Sequence, residues 1–369
     1  MTEIPQEQSS GKPEDAYDLE GVTTPNHNYV PTEVVKAVRA FKAHRDVHII
    51  VDTCADFASK VAERLGVEVI GFPYIMDGVE HTDDIWKSIS YEDYYAKLRE
   101  GSHVTTAAVS PGFYYEVFER AAKRGTPTIY LGFTGGLSSS IHAAEQARDM
   151  IADDYPSFEL YVIDNLCPSA CAELLAVEAV RLAGNGATAS ELYRWASEAR
   201  YYLQGYFTLD SLDALAAGGR IPPAAAQLGG KRDIKPELSF DLNGSLTLKG
   251  MCRGRKKALR ALVSEFQENW CRDASLPIAI MHADAAKDAD WLEDHLRREK
   301  GCEGLLIIRS VISPVLGAHV GPGMVAVGFW GGDRREKLSL TDRIAKRVRG
   351  RANGGGDAQD APGTPGAQS

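Results

Sequence analysis

The chain has 369 residues, 44% hydrophobic and 25% charged, a balance that fits a soluble globular protein long enough for two cores. Its net charge of −10 argues against a nucleic-acid surface, and no apolar run reaches the ~20 residues of a membrane span, so no integral membrane contact is expected. Its six scattered cysteines make no disulfide framework, and the polar N-terminus has no leader-like apolar stretch; both fit a reducing cytoplasm.

Residues 1–45 read as a polar extension with one helix over 31–45, opened by Pro31. Residues 46–204 read as a parallel-sheet α/β domain. A strand over 47–51 ends in Asp52 and Thr53, a helix over 55–65 closes at Gly66, and a second strand runs over 67–74. Asp52 reads first as a helix cap. Residues 76–90 are acidic and irregular, and 91–100 form a helix. A short strand or loop over 104–112 places the Thr106 and Ser110 hydroxyls at the start of a helix over 112–124.

A buried strand over 128–133 then runs through Gly135 and Gly136 into Leu137-Ser138-Ser139-Ser140 and a helix. A helix start leaves N–H groups without partners and carries a positive dipole end. Hydroxyls there make a pocket suited to phosphate or carboxylate, or simply cap the helix. A strand over 158–163, a helix over 167–182 and an amphipathic helix over 190–204 complete the domain.

Residues 205–336 read as an α+β domain with a mixed or antiparallel sheet. A strand over 205–210 and a helix over 211–217 lead to Gly218-Gly219-Arg220-Ile221. Two strands over 234–248 turn at Asn243-Gly244, a strong hairpin signal. The basic run Arg253, Arg255, Lys256 and Lys257 opens a helix, and strand, helix and strand follow. A Gly/Pro loop over 313–323 carries His319, and the last strand covers 324–330. Residues 337–369 are a basic segment and a Gly/Pro-rich tail.

No dinucleotide fingerprint, Walker A loop, nucleophile elbow or H-E-x-x-H motif is present. Cys167 and Cys171 have no partner pair at zinc spacing. No cofactor and no metal are expected.

Taken in order, these pieces resemble the DegV family of bacterial fatty-acid-binding proteins across roughly residues 47–331. They are Asp52-Thr53-Cys54-Ala55-Asp56, Thr106-Ala107-Ala108-Val109-Ser110-Pro111-Gly112, Leu137-Ser138-Ser139-Ser140, Gly218-Gly219-Arg220-Ile221, the basic run from Arg253, and Gly317-Ala318-His319-Val320-Gly321. The resemblance implies a binding protein, not an enzyme, with a long-chain fatty acid buried between its two domains. It implies that Thr106, Ser138 and the Ser139 N–H hold the carboxylate, with His319 and Arg220 beside them. It also implies presentation to a separate ATP-dependent fatty acid kinase subunit, giving an acyl phosphate for phospholipid synthesis. Arg220, Arg253, Arg255 and Lys256 are the candidate contacts for that partner. The chain departs from the family pattern at Ala107 to Val109, at Ser139 and Ser140 where Gly and Thr are usual, and at Cys171 and Glu173.

The chemistry of the residues is consistent with this. A carboxylate taken out of water must recover its hydrogen bonds, and hydroxyls and helix-start N–H groups supply strong ones. If Thr106 and Ser138 follow consecutive strands of one parallel sheet, both reach its carboxyl edge. The alternative is an acyl hydrolase or transferase with Ser138 or Ser139 as nucleophile, His319 as base and Asp52 or Asp164 as the third member.

Overall fold

In the computed structural model, residues 46–224, 233–302 and 304–337 are described. The expected N-terminal helix and nearly all of the 337–369 segment lie outside them. The first sheet is parallel throughout, with order β2-β1-β6-β7: β1 is His48–Asp52, β2 Glu68–Ile70, β6 Thr128–Gly132 and β7 Leu160–Asp164. Every residue of β6 is buried, as its unbroken apolar run requires. Helix α1 is Ser59–Leu65, α2 Tyr91–Glu100, α3 Pro111–Arg124 and α4 Ser140–Asp154. Local chemistry fixes their ends. Ser110 caps α3 by accepting from Phe113 N–H, Pro111 opens it, and Gly125 closes it at φ 72°.

The single strand expected over 67–74 is divided. After β2 the chain turns at Gly71 and starts β3, Pro73–Met76, which pairs antiparallel with β4, Val79–Thr82, and β5, Val104–Thr106. At the break the chain runs against the Asp83 backbone: Asp83 N donates to Phe72 O at 2.9 Å, and a Cβ on Gly71 would lie 2.5 Å from the Asp83 carbonyl oxygen, which requires glycine there. The stretch read as irregular thus contains β4, whose mostly exposed residues give no apolar alternation. This three-stranded sheet also corrects the placement of Thr106, which ends β5 and not a strand of the parallel sheet.

Helices α5, Ala170–Gly184, and α6, Ala189–Ala199, precede a six-stranded mixed sheet of order β10-β9-β8-β13-β11-β12. Its strands are β8 Leu203–Thr208, β9 Ile234–Phe240, β10 Leu246–Arg253, β11 Ile278–His282, β12 Ile307–Val311 and β13 Val325–Trp330. Helix α7 is Asp213–Ala217, α8 Arg255–Asn269, α9 Ala286–Leu296 and α10 Pro314–Val320. The β9–β10 hairpin turns where Asn243-Gly244 predicts, with Gly244 at φ 76°. Helix α5 packs on this second sheet, so closely that a Cβ on Gly328 of β13 would lie 2.7 Å from Ala170 Cβ and one on Gly205 of β8 2.9 Å from Cys171 Sγ.

Glu173, in the first turn of α5, is fully buried and neither carboxylate oxygen has a partner among the described residues. Burial pushes its carboxyl well above the ordinary range, helped by the charge of Asp56. A raised acid contributes stability that is complete below its unfolded value and is lost as pH rises through the folded one. Glu173→Leu is therefore expected to stabilise the fold. Its advantage in urea denaturation should widen as pH rises from about 5 to about 8.

Candidate functional site

A cavity opens between the two sheets. Its walls are apolar: Phe133 from just after β6, Phe207 and Phe240 from β8 and β9, Leu215 from α7, Val315 from α10 and Met324 from the chain after it. Thr106, Ser138, Ser139, Arg220 and His319 line the same cavity and supply its polar groups. Five residues spread over more than 200 positions of sequence thus meet at one place.

Each is positioned by identifiable contacts. His319 lies in the last turn of α10, a helix where sequence suggested a loop; Pro314 starts the helix and its length is only 7 residues. Three contacts with the first domain hold α10: Tyr94 Oη donates to Pro314 O at 2.6 Å, Tyr95 Oη to Ile312 O at 2.8 Å, and Ser313 N to Asp56 Oδ1 at 2.7 Å. Gly317 is needed for this approach, because a Cβ there would lie 2.7 Å from Tyr95 Oη. His319 Nε2 then lies 2.8 Å from Thr106 Oγ1. Its Nδ1 is buried against Gly218 without a partner among the described residues. An unpaired N–H costs more there than an unpaired lone pair, which assigns the proton to Nε2 as donor to Thr106 Oγ1. The Thr106 O–H proton is left for another acceptor.

Burial, then the charge of Arg220, hold His319 down at about 4, so the ring is neutral at physiological pH. The unfolded imidazole takes up a proton below about 6.5, while the folded one does so only near its lowered value. The contribution of this neutral ring is complete above pH ~6.5 and is lost as pH falls through the folded value. The stability of the wild type relative to His319→Gln should drop by about 2 kcal/mol between pH 7.5 and 4.5 in urea denaturation.

Arg220 follows the Gly218-Gly219 turn. Its guanidinium donates to Leu137 O at 3.3 Å and to Gly218 O at 2.5 Å, and no carboxylate among the described residues pairs with it. Burial lowers its pKa from the ordinary arginine value. Ser138 Oγ donates to Ser140 Oγ at 3.0 Å and accepts from Ser140 N at 3.2 Å. Ser139 stands as the exposed N-cap of α4 with no side-chain capping bond.

The hydrolase arrangement is not assembled. His319 is engaged with Thr106, Ser138 with Ser140, and Asp164 accepts from Gly135 and Leu166 N–H. Asp52 accepts from Cys54 and Phe133 N–H and from Tyr130 Oη, so its cap role holds and it does not reach His319. In the basic run, Arg253 and Lys256 are exposed, whereas Arg255 is tied down by Asp288 Oδ2 at 2.8 Å and Gly323 O at 2.6 Å. Arg255 is thus built into its own domain. Sequence reading missed Tyr114 and Tyr130, whose hydroxyls meet at 3.0 Å and of which Tyr130 donates to Asp52. Nothing separated these tyrosines from other aromatic residues of helix and strand cores.

Among the described residues, no helix is long and apolar enough to cross a membrane, and no group of three or more His, Cys, Asp or Glu could hold a metal ion.

These features define a class: two-domain α/β proteins with an apolar cavity between the sheets, headed by hydroxyls, a histidine and an arginine. Within it, the chain belongs to the DegV family, whose profile, described as an uncharacterised protein of that family, matches residues 46–331. A DegV domain-containing protein of Clostridium perfringens is 32% identical over 288 residues, covering 78% of this chain and 98% of the relative. One of Lactococcus lactis is 29% identical over 281 residues, covering 76% and 96%. Among solved structures, a DegV lipid binding protein from Thermotoga maritima superposes with a TM-score of 0.68 at 25% identity, covering 78% of this chain and 99% of that one. The Streptococcus pneumoniae fatty acid kinase B3 protein loaded with linoleic acid shares the fold, with a TM-score of 0.67 at 20% identity and coverage of 78% and 99%.

Proposed function

We propose that the chain is a cytoplasmic long-chain fatty-acid-binding protein that buries the acyl tail between its domains. It presents the carboxylate to a separate ATP-dependent fatty acid kinase subunit. The observation that carries this reading is the cavity itself: apolar along its walls, with Thr106, Ser138, Ser139, His319 and Arg220 gathered among them. The tail contributes roughly 0.8 kcal/mol per buried CH₂, and the polar groups fix which end of the ligand goes where. The neutral His319 and the unpaired charge of Arg220 suit an anion better than a cation. The lipid-binding Thermotoga maritima relative and the Streptococcus pneumoniae fatty acid kinase B3 protein loaded with linoleic acid support the ligand class and the partner. Arg253 and Lys256, exposed on the second domain, together with Arg220, are the groups we assign to the partner.

Native mass spectrometry of the protein purified from bacteria tests the reading. An adduct of fatty-acid mass, lost on denaturation, is expected. A protein with no adduct that takes up no added long-chain acid would overturn it.

A further inference from the structure

The turn that leads into α4 leaves one hydroxyl of the cavity with no role in the fold. Ser138 Oγ is engaged with Ser140, and Thr106 Oγ1 with His319 Nε2. Ser139 lines the same cavity, yet its side chain makes no capping bond to α4, and neither its N–H nor its Oγ has a hydrogen-bond partner among the described residues.

A ring of contacts holds Ser139 beside the other polar groups. Thr106 Oγ1 meets His319 Nε2 at 2.8 Å, and the His319 ring packs on Gly218, where a Cβ would lie 2.3 Å from Nδ1. Gly218 O accepts from Arg220 Nη1 at 2.5 Å, and Leu137 O accepts from Arg220 Nε at 3.3 Å. From Leu137 the chain passes through Ser138 and Ser139 to Ser140, whose Oγ accepts from Val109 N at 3.1 Å and so returns the ring to the segment that carries Thr106.

This ring offers more donors than a plain carboxylate takes up. An ionised carboxylate accepts at about four lone-pair sites. Thr106 O–H, Ser139 N–H and the Ser138 O–H, once it turns from Ser140, reach three of them. A guanidinium has five N–H donors, and Arg220 uses two, on Leu137 O and Gly218 O. One more fills the fourth site. The Ser139 hydroxyl and further Arg220 N–H groups are then left over, in a cavity otherwise walled by phenyl and aliphatic side chains. A polar group enclosed without a partner costs free energy, so these favour a ligand that brings one more oxygen.

Bond geometry places that oxygen. In serine the backbone nitrogen and Oγ are three bonds apart, about 3 Å in space. The carboxylate oxygen and the hydroxyl oxygen of a 2-hydroxy acid are also three bonds apart, at about the same distance. Resting on the fatty-acid reading above, we infer that Ser139 makes this cavity selective for long-chain acids that carry a hydroxyl on the carbon next to the carboxylate. The carboxylate takes the Ser139 N–H, and the 2-hydroxyl pairs with Ser139 Oγ and a spare Arg220 N–H. A hydroxyl on carbon 3 lies one bond further from the carboxylate, out of step with the spacing within Ser139. Because Ser139 stands on one side of the bound carboxylate, one enantiomer at carbon 2 meets it and the other does not.

Titration calorimetry of the delipidated full chain at neutral pH tests this, with palmitate, each enantiomer of 2-hydroxypalmitate, and 3-hydroxypalmitate. One 2-hydroxy enantiomer should bind about five- to tenfold more tightly than palmitate, the worth of one neutral hydrogen bond. The other enantiomer and the 3-hydroxy acid should bind more weakly than palmitate, since each carries an unpaired hydroxyl into an apolar space. Ser139→Ala should bring the affinity ratio of the preferred enantiomer to palmitate down to one or below, and Ser139→Gly repeats the test should the alanine protein not fold. Thr106→Ala should weaken palmitate and 2-hydroxypalmitate by the same factor and so keep the ratio. A wild type with no preference for either enantiomer, a preference that survives the Ser139 substitutions, or one that Thr106→Ala abolishes equally would overturn the inference while the fatty-acid reading stands. A wild type that binds none of these acids would overturn that reading, and the selectivity with it.

Discussion

Thr106→Ala/Ser138→Ala is expected to raise the dissociation constant for a long-chain fatty acid about a hundredfold, with the protein still folded. A hydrogen bond to a charged group is worth about 1.5–3 kcal/mol. Thr106 has its proton available because His319 Nε2 already donates to its oxygen at 2.8 Å. Ser138 brings less than the full amount, because it gives up its 3.0 Å bond to Ser140. Together the two come to about 3 kcal/mol, or two orders of magnitude in affinity. Both hydroxyls are partly exposed to the cavity, so their removal leaves little structural debt beyond the ring of His319. Titration calorimetry with the acid and its methyl ester separates head from tail: the ester, which lacks the charge, should lose far less. If affinity for the acid stays within twofold of wild type, about 0.4 kcal/mol, these residues do not hold the carboxylate.

The sequence could be read as far as its patterns are local. The parallel order of β1 and β2, the buried β6, the Asn243-Gly244 hairpin and the Ser-capped α3 follow from periodicity and turn chemistry, which act over a few residues. The division of the second expected strand at Gly71 depends on Asp83, a contact made only once the chain has folded back. The small sheet was hidden for the same reason, because β4 is exposed and carries no alternation. The glycines and prolines around His319 predict a loop, because they are loop residues in general. In the structure Pro314 starts a helix and Gly317 lets it nest against Tyr95.

The site shows the same limit. That Ser138 stands at a helix start is legible from the Gly135-Gly136 turn. That Thr106 faces it from a different sheet is not, and the expected route through one parallel sheet gives the right neighbours for the wrong reason. In sequence Arg255 is indistinguishable from its neighbours Arg253 and Lys256; in the fold Asp288 and the Gly323 carbonyl lie against it. Charge runs in sequence do not say which member is spent inside the fold.

The contact most exposed to a single substitution lies between the domains. The tip of the β9–β10 hairpin sits directly on the turn that leads to Ser138. Thr134 Oγ1 donates to Gly244 O at 3.3 Å and accepts from Gly136 N at 3.1 Å, while Ser245 Oγ donates to Gly136 O at 3.4 Å. A Cβ on Gly136 would lie 2.5 Å from Ser245 N and 2.6 Å from Asn243 O, and would also meet the Gly244 carbonyl carbon. These are backbone atoms on a tight turn, with no rotamer to swing aside. The φ of Gly136 is not in the left-handed region, so the requirement for glycine is one of space and not of conformation. Gly136→Ala must therefore push the hairpin off the first domain or distort the turn. The cost should be about 2–3 kcal/mol, as for other overpacked sites. It should be visible as a lower urea midpoint with an unchanged slope. Because Phe240 and Leu246, the strand pair next to that turn, line the cavity, the displacement should also weaken tail binding, for acid and ester alike. That pattern is the reverse of Thr106→Ala/Ser138→Ala, which acts on the acid alone. A Gly136→Ala protein of wild-type stability that binds both ligands normally would mean that the domains do not need this close seam.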